Sequence, residues 1–215
     1  MRNELEKRLL TSFLIVPLSL FFIIKGSFYF IFFLSIVFFV TIYEWYKLTK
    51  NLNTSKIIGT IFIFFSIYSA YLFRDEKGVH VFLFIIIISI LTDVGGYIFG
   101  KTFKGPKLTK ISPNKTYSGV LGSFLFSIIG GLFYFNLLIG NIPLKIEQYI
   151  TVFFFIFLIS LISQLGDLII SFFKRIGKIK NTGKILPGHG GLLDRIDGII
   201  FTIPSSYVIL NYINL

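Results

Sequence analysis

The residues most able to do chemistry lie between positions 163 and 197, where carboxylates, lysines and glycines alternate at short spacing. Asp167, Ser171 and Lys174 or Arg175 follow one another at steps of three or four, so a helix places them on one stripe. Asp194 and Asp197 are three apart and share a face if a helix begins there. Two carboxylate faces can hold a hard cation, and Mg2+ takes one or two carboxylates and completes its shell with substrate phosphates. Asp167, Asp194 and Asp197 are therefore the candidate metal ligands. Between them runs a loop containing Lys178, Lys180, Gly183, Lys184 and Pro187-Gly188-His189-Gly190-Gly191. Glycines let backbone N–H groups approach phosphate oxygens, and lysines neutralise them. Lys180, Gly190, Gly191 and Arg195 are candidate phosphate binders, and His189 suits a phosphate hydrogen bond or an acid/base role. With no cysteine and two histidines in the chain, a zinc site is not expected.

A second polar segment, 101 to 116, holds five lysines and the run Ser112-Pro113-Asn114-Lys115-Thr116. A loop that is merely positive needs the lysines but has no use for Asn114, Lys115 and Thr116 at a helix entry, which makes these three candidate substrate binders. Gly95-Gly96-Tyr97-Ile98-Phe99-Gly100-Lys101-Thr102 fits the spacing of a phosphate-binding P-loop. That loop works only between a strand and a helix, and here it ends an apolar run, so it is read as a coincidence.

These residues must be positioned by membrane helices. The 215 residues are 54% hydrophobic and 14% charged, far from the roughly 25% charged of a soluble domain. Long apolar runs recur without the alternation of barrel strands, so the expected fold is all-α: a polytopic transmembrane bundle of about seven spans near 9–25, 28–46, 57–73, 79–99, 119–139, 149–172 and 198–213. It forms a single membrane-embedded domain over 1–215, with its catalytic part at about 90–200. Seventeen Lys and Arg fall in the N-terminus and the loops after spans 2, 4 and 6, against four on the other side, which places the N-terminus in the cytoplasm. Because the net charge of +11 sits in short loops, anionic lipid heads and phosphate substrates fit it better than nucleic acid. Carboxylates inside spans are costly and normally have a task or a partner. Asp93 and Asp167 are expected to serve the site, and Glu44 to pair with Lys47 three residues on.

The motif around Ser171 to Asp197 resembles the phosphatidate cytidylyltransferase (CDP-diacylglycerol synthase) family, whose signature runs S-x-x-K-R-x4-K-D-x-G-x-x-L-P-G-H-G-G-x-x-D-R-x-D. Ser171, Lys174, Arg175, Lys180, Gly183, Leu186, Pro187, Gly188, His189, Gly190, Gly191, Asp194, Arg195 and Asp197 occupy matching places without a gap. Weaker similarity extends to Ser112-Pro113-Asn114-Lys115-Thr116, to Asp93 with Gly96-Tyr97 and Gly100, and to Lys7-Arg8-Leu9-Leu10-Thr11. The resemblance implies transfer of a cytidylyl group from CTP to phosphatidic acid with Mg2+, a second cation being left open, at a site on the cytoplasmic face of a bacterial inner membrane. Catalysis would fall to Asp167, Lys174, Arg175, His189, Asp194 and Asp197. Substrate binding would fall to Asp93, Asn114, Lys115, Thr116, Ser171, Lys180, Gly190, Gly191 and Arg195. A homodimer is compatible with this reading. Asn181 and Ser118 stand where the family pattern has Asp and Glu, which implies weaker cation binding. The rival readings are cytidylyl transfer to another lipid phosphate, and a lipid-binding or transport relative of reduced activity.

Overall fold

The computed structural model describes residues 2–109, 112, 115–139 and 145–213. Among the described residues there are eight helices, in order: α1 (Arg2–Lys25), α2 (Ser27–Leu48), α3 (Asn53–Lys77), α4 (Val79–Phe103), α5 (Tyr117–Ile139), α6 (Ile146–Ile176), α7 (Leu193–Ile196) and α8 (Ile199–Ile213). No strand occurs among the described residues, only isolated bridges pairing Lys107 with Thr116 and Leu186 with Gly190. Helices α2 to α6 are long and apolar enough to cross a membrane, and two shorter apolar stretches, Leu10–Lys25 and Ile199–Tyr212, complete the set. Large apolar side chains such as Phe13, Phe28, Phe39 and Phe133 point outward, the surface of a protein whose solvent is lipid. The chain is an integral membrane protein of the all-α class. Five of the expected spans are α2 to α6, and the other two, near 9–25 and 198–213, fall on the shorter apolar helices; α7 is a single turn that the spacing of Asp194 and Asp197 does not separate from the last span.

Short connections keep the first helices antiparallel. Gly26 and Gly78 adopt positive φ at the α1–α2 and α3–α4 turns, conformations that other residues rarely hold. Arg74 of α3 reaches the first turn, where Nε and Nη2 donate to Ile23 O and Ile24 O at 3.1 and 3.0 Å. It thus satisfies carbonyls that α1 leaves open at its end.

The core lies between α2, α3, α4, α6 and α8, with Phe30, Phe73, Ile85, Ile88, Ile156 and Ile159 fully buried. Lipid tails compete for apolar contact as well as leucine does, so small residues and buried hydroxyls contribute much of the helix association in such a bundle. Ser89 of α4 meets Thr202 of α8 at 3.0 Å, Thr92 of α4 donates to Ser160 of α6 at 2.9 Å, and Ser66 of α3 donates to Ile200 O at 2.7 Å. Helices α4 and α5 touch backbone to backbone: a Cβ on Gly95 would strike Gly122 O, and one on Gly119 would lie 2.9 Å from Gly96 O. The segment from Gly95 to Thr102 is continuous helix, so its P-loop spacing makes no loop.

Candidate active site

Two glycines bring the acidic residues together. A Cβ on Gly198 would strike Ser163 Oγ, and one on Gly166 would lie 2.9 Å from Asp197 O. The α7–α8 junction can therefore rest directly on α6, one residue from Asp167. The Asp167 and Asp197 carboxyls are brought close enough to interact electrostatically. Asp197 is 7% exposed. Burial and the nearby carboxylates of Asp167 and Asp93 push its carboxyl well above the usual range, opposed by the Lys174 ammonium. Two carboxyls this close favour a proton or a cation between them.

Lys115, just before α5, donates to Asp167 Oδ2 at 2.7 Å and to Gln164 O at 3.2 Å. Ser171, one turn along α6, donates to Asp167 Oδ1 at 3.2 Å. Asp93 is exposed and lies within electrostatic reach of Asp167, Lys115 and Arg195. Asp93, Lys115 and Asp167 line a cavity of about 280 Å3 together with Ser112, Thr116, Ser123 and Gln164. Gln164 Nε2 and, on the adjoining residue, Ser163 Oγ are buried with no hydrogen-bond partner in the protein, an unusual state for buried polar groups. At the α5 entry Thr116 Oγ1 accepts from Gly119 N at 3.1 Å and meets Ser118 Oγ at 2.9 Å, while Ser118 Oγ also donates to Lys104 O. Of the expected binders in this segment, Asn114 lies outside the described residues.

Asp194 takes a different place from the one expected. Its Oδ2 accepts from Thr182 N at 2.8 Å and Gly191 N at 3.1 Å, and its Oδ1 pairs with Lys174 Nζ at 3.0 Å. Helix α7 lasts one turn and ends at Asp197, so the two acids serve different partners. Among the described residues, no three His, Cys, Asp or Glu side chains are gathered to hold a metal. The expected trio of Asp167, Asp194 and Asp197 is therefore not formed. What remains is the pair Asp167 and Asp197, a donor set suited to a cation that completes its shell with phosphate oxygens.

Glu44 is the acid that spacing misplaces. It is fully buried and reaches a loop far along the chain rather than pairing with Lys47. Its Oε2 accepts from Thr182 Oγ1 and from Leu193 N, both at 2.8 Å, and its Oε1 accepts from Leu192 N at 3.0 Å. Hydrogen bonds to a charged acceptor contribute about 1.5 to 3 kcal/mol each, which offsets a desolvation cost of several kcal/mol for a buried carboxylate. Gly183 and Gly191 pack against this carboxylate so closely that a Cβ on either would strike it. These two motif glycines make room for an acid, not for a phosphate.

The rest of the loop is folded on itself and on α1. Leu186 N donates to Gly190 O at 2.9 Å, and Arg195 Nη2 donates to His189 O at 2.9 Å. His189 Nε2 lies 3.3 Å from Ser12 Oγ, and Thr11 Oγ1 donates to Pro187 O at 2.9 Å. Gly188 and Gly190 have positive φ. Arg175, Lys180 and Arg195 are exposed. Asn181 packs beside Gly190 and Asp194: a Cβ on Gly190 would lie 3.3 Å from Asn181 Cβ and 3.1 Å from Asp194 Oδ2.

With this geometry in view, the relatives are informative. The Cytidylyltransferase family model matches residues 54–213. The chain is 41% identical over 142 residues to a phosphatidate cytidylyltransferase of Staphylococcus saprophyticus, covering 65% of this chain and 53% of that protein. It is 40% identical over 154 residues to that of Staphylococcus aureus, covering 71% and 55%. It is 36% identical over 212 residues to that of Rickettsia conorii, covering 94% and 89%. The chain spans about half the length of the staphylococcal relatives it matches. The matched segment contains the paired carboxylates, the lysines that flank them and the glycine loop, and the chain belongs to the cytidylyltransferase family.

Proposed function

We propose that the protein transfers a cytidylyl group from CTP to the phosphate of phosphatidic acid, giving CDP-diacylglycerol and pyrophosphate. The observation that carries this reading is the packing of the α7–α8 junction on α6, which brings Asp197 near Asp167 beside a cavity, with Lys115 paired to Asp167 and Lys174 to Asp194. A phosphate oxygen of the lipid attacks the α-phosphorus of CTP; the new P–O bond forms as the bond to the bridging oxygen breaks, and pyrophosphate leaves with that electron pair. The lipid supplies its own nucleophile, so catalysis reduces to positioning and charge neutralisation. Lys115 holds Asp167 in place, Lys174 is presented by Asp194, and Arg195 is oriented by the His189 carbonyl. Arg175 and Lys180 supply exposed positive charge for the triphosphate. Mg2+, which Asp167 and Asp197 would hold, supplies neutralisation of the phosphate oxygens.

The site faces the cytoplasm of a bacterial inner membrane in this reading, in line with the excess of Lys and Arg in the loops that flank it. A transporter would place broken helices near mid-membrane, whereas α4 and α6, which carry Asp93 and Asp167, are continuous helices.

Purified protein incubated with labelled CTP, Mg2+ and either phosphatidic acid or a polyprenyl phosphate is the test. Labelled CDP-diacylglycerol with phosphatidic acid is expected. Product with the polyprenyl phosphate alone would assign a different acceptor, and product with neither would overturn cytidylyl transfer.

A further inference from the structure

We propose that Glu44, on α2, is the positioning residue that sets the glycine loop and Lys174 against α6; this rests on the cytidylyl-transfer reading. The argument starts from how two carboxylates share one stretch of backbone. Thr182 sends its hydroxyl to Glu44 and its N–H to Asp194. Nine residues later, Gly191 sends its N–H to Asp194, and Leu192 and Leu193 send theirs to Glu44. The two ends of the loop are thus gripped from opposite sides by two acids. Asp194 in turn pairs with Lys174 on α6. A continuous line of hydrogen bonds runs from α2 through the loop to α6, and Glu44 is its fully buried end.

A buried acid that served α2 alone would be bonded to its own helix. The three donors named for Glu44 all belong to the segment from Thr182 to Leu193. That segment lies between Lys180 and Arg195, which the proposed function assigns to the substrate phosphates, and it is pressed to the carboxylate by Gly183 and Gly191. Losing the Glu44 charge frees both ends of the loop at once and leaves the Asp194 carboxylate to follow it. Lys174 then loses its fixed position, while the apolar packing of α3, α4, α6 and α8 is untouched. The effect falls on the nucleotide phosphates, not on the lipid chains.

Three variants in the full chain test this: Glu44→Gln, Thr182→Val and the pair together. The readouts are trypsin cleavage at the exposed Lys178, Lys180 and Lys184, thermal unfolding, and separate KM values for CTP and phosphatidic acid. Glu44→Gln is expected to speed loop cleavage about tenfold, as a local opening made easier by one decade would. The KM for CTP rises about tenfold while that for phosphatidic acid stays within about twofold. Thr182→Val shifts both in the same direction by less, and adding it to Glu44→Gln has little further effect because the two groups act through one contact. If Glu44→Gln does not fold, Thr182→Val alone decides between faster loop cleavage with a raised KM for CTP and no change. Unchanged cleavage and KM in an active parent would overturn the proposal, as would equal loss for both substrates with a lowered melting temperature. A parent that makes no product would overturn cytidylyl transfer, and the cleavage series would still decide whether Glu44 anchors the loop.

Discussion

Lys115 Nζ lies 2.7 Å from Asp167 Oδ2 and 3.2 Å from Gln164 O, so one ammonium ties the entry of α5 to α6. Both side chains of the ion pair are about one quarter exposed, at 24% and 25%, and some of its strength is lost to screening. Lys115→Met should lower kcat/KM about 30-fold, roughly 2 kcal/mol of transition-state stabilisation. Lys115→Arg should recover part of it. Steady-state kinetics on the two variants provide the check, and equal activity in all three proteins would mean that the pair is idle.

The proximity of Asp167 and Asp197 predicts how the protein responds to metal. A cation that binds the folded form raises the melting temperature by mass action, so millimolar Mg2+ should stabilise the purified protein without nucleotide. Asp167→Asn and Asp197→Asn should each abolish that shift and lower turnover by orders of magnitude. Asp194→Asn should keep much of the shift but unfold at lower temperature, because it releases Lys174, Thr182 and Gly191. Thermal unfolding with and without EDTA separates these cases.

Asn181 lies beside Asp194, which already shares Lys174. Asn181→Asp adds a second negative charge there. At about 4 Å and an effective dielectric of about 20, unit charges interact by about 4 kcal/mol, and solvation of the exposed carboxylate offsets much of it. The variant should unfold at lower temperature in EDTA and reach half-maximal activity at lower Mg2+, by up to about tenfold. Adding Ser118→Glu should extend the effect. A Mg2+ titration that matches the parent would show that the neutral residues have been accommodated.

The hydroxyl pairs predict a change in stability that leaves the chemistry alone. Ser89→Ala leaves Thr202 facing an apolar neighbour, and interhelical hydrogen bonds of this kind contribute about 0.6 to 2 kcal/mol in a bilayer. Unfolding of Ser89→Ala in detergent should shift by that amount, with both KM values held at those of the parent.

Orientation follows from the seventeen basic residues against four. A reporter inserted near Thr182 should read as cytoplasmic, and one fused after Leu215 should read as external. Both reporters on one side would mean that the last apolar helix does not cross.

Much of the bundle could be read from the chain because apolar length needs no partner to be recognised. Gly95 to Thr102 could be set aside as a phosphate loop because Tyr97, Ile98 and Phe99 continue an apolar run, and this stretch is helix. Glu44 was misplaced because spacing offers only local partners such as Lys47, whereas its actual donors lie 138 to 149 residues away. The split between Asp194 and Asp197 was hidden for a related reason. Periodicity assumes that the helix continues, and α7 stops after one turn where Gly198 settles on Ser163. Burial was the missing variable in both cases, and it is fixed only once the bundle has assembled.

The family match begins at residue 54, ten residues beyond the carboxylate that Gly183 and Gly191 enclose. A fragment trimmed to that match would expose the Leu192 and Leu193 amides to an empty slot and leave two glycines with nothing to accommodate. The segment that carries the family's hallmark should therefore fail to fold its loop when separated from α2. Grafting it onto another scaffold, or expressing it alone, requires an acid supplied at the position of Glu44, and complementation by a separately expressed 1–53 segment would be the direct way to supply it.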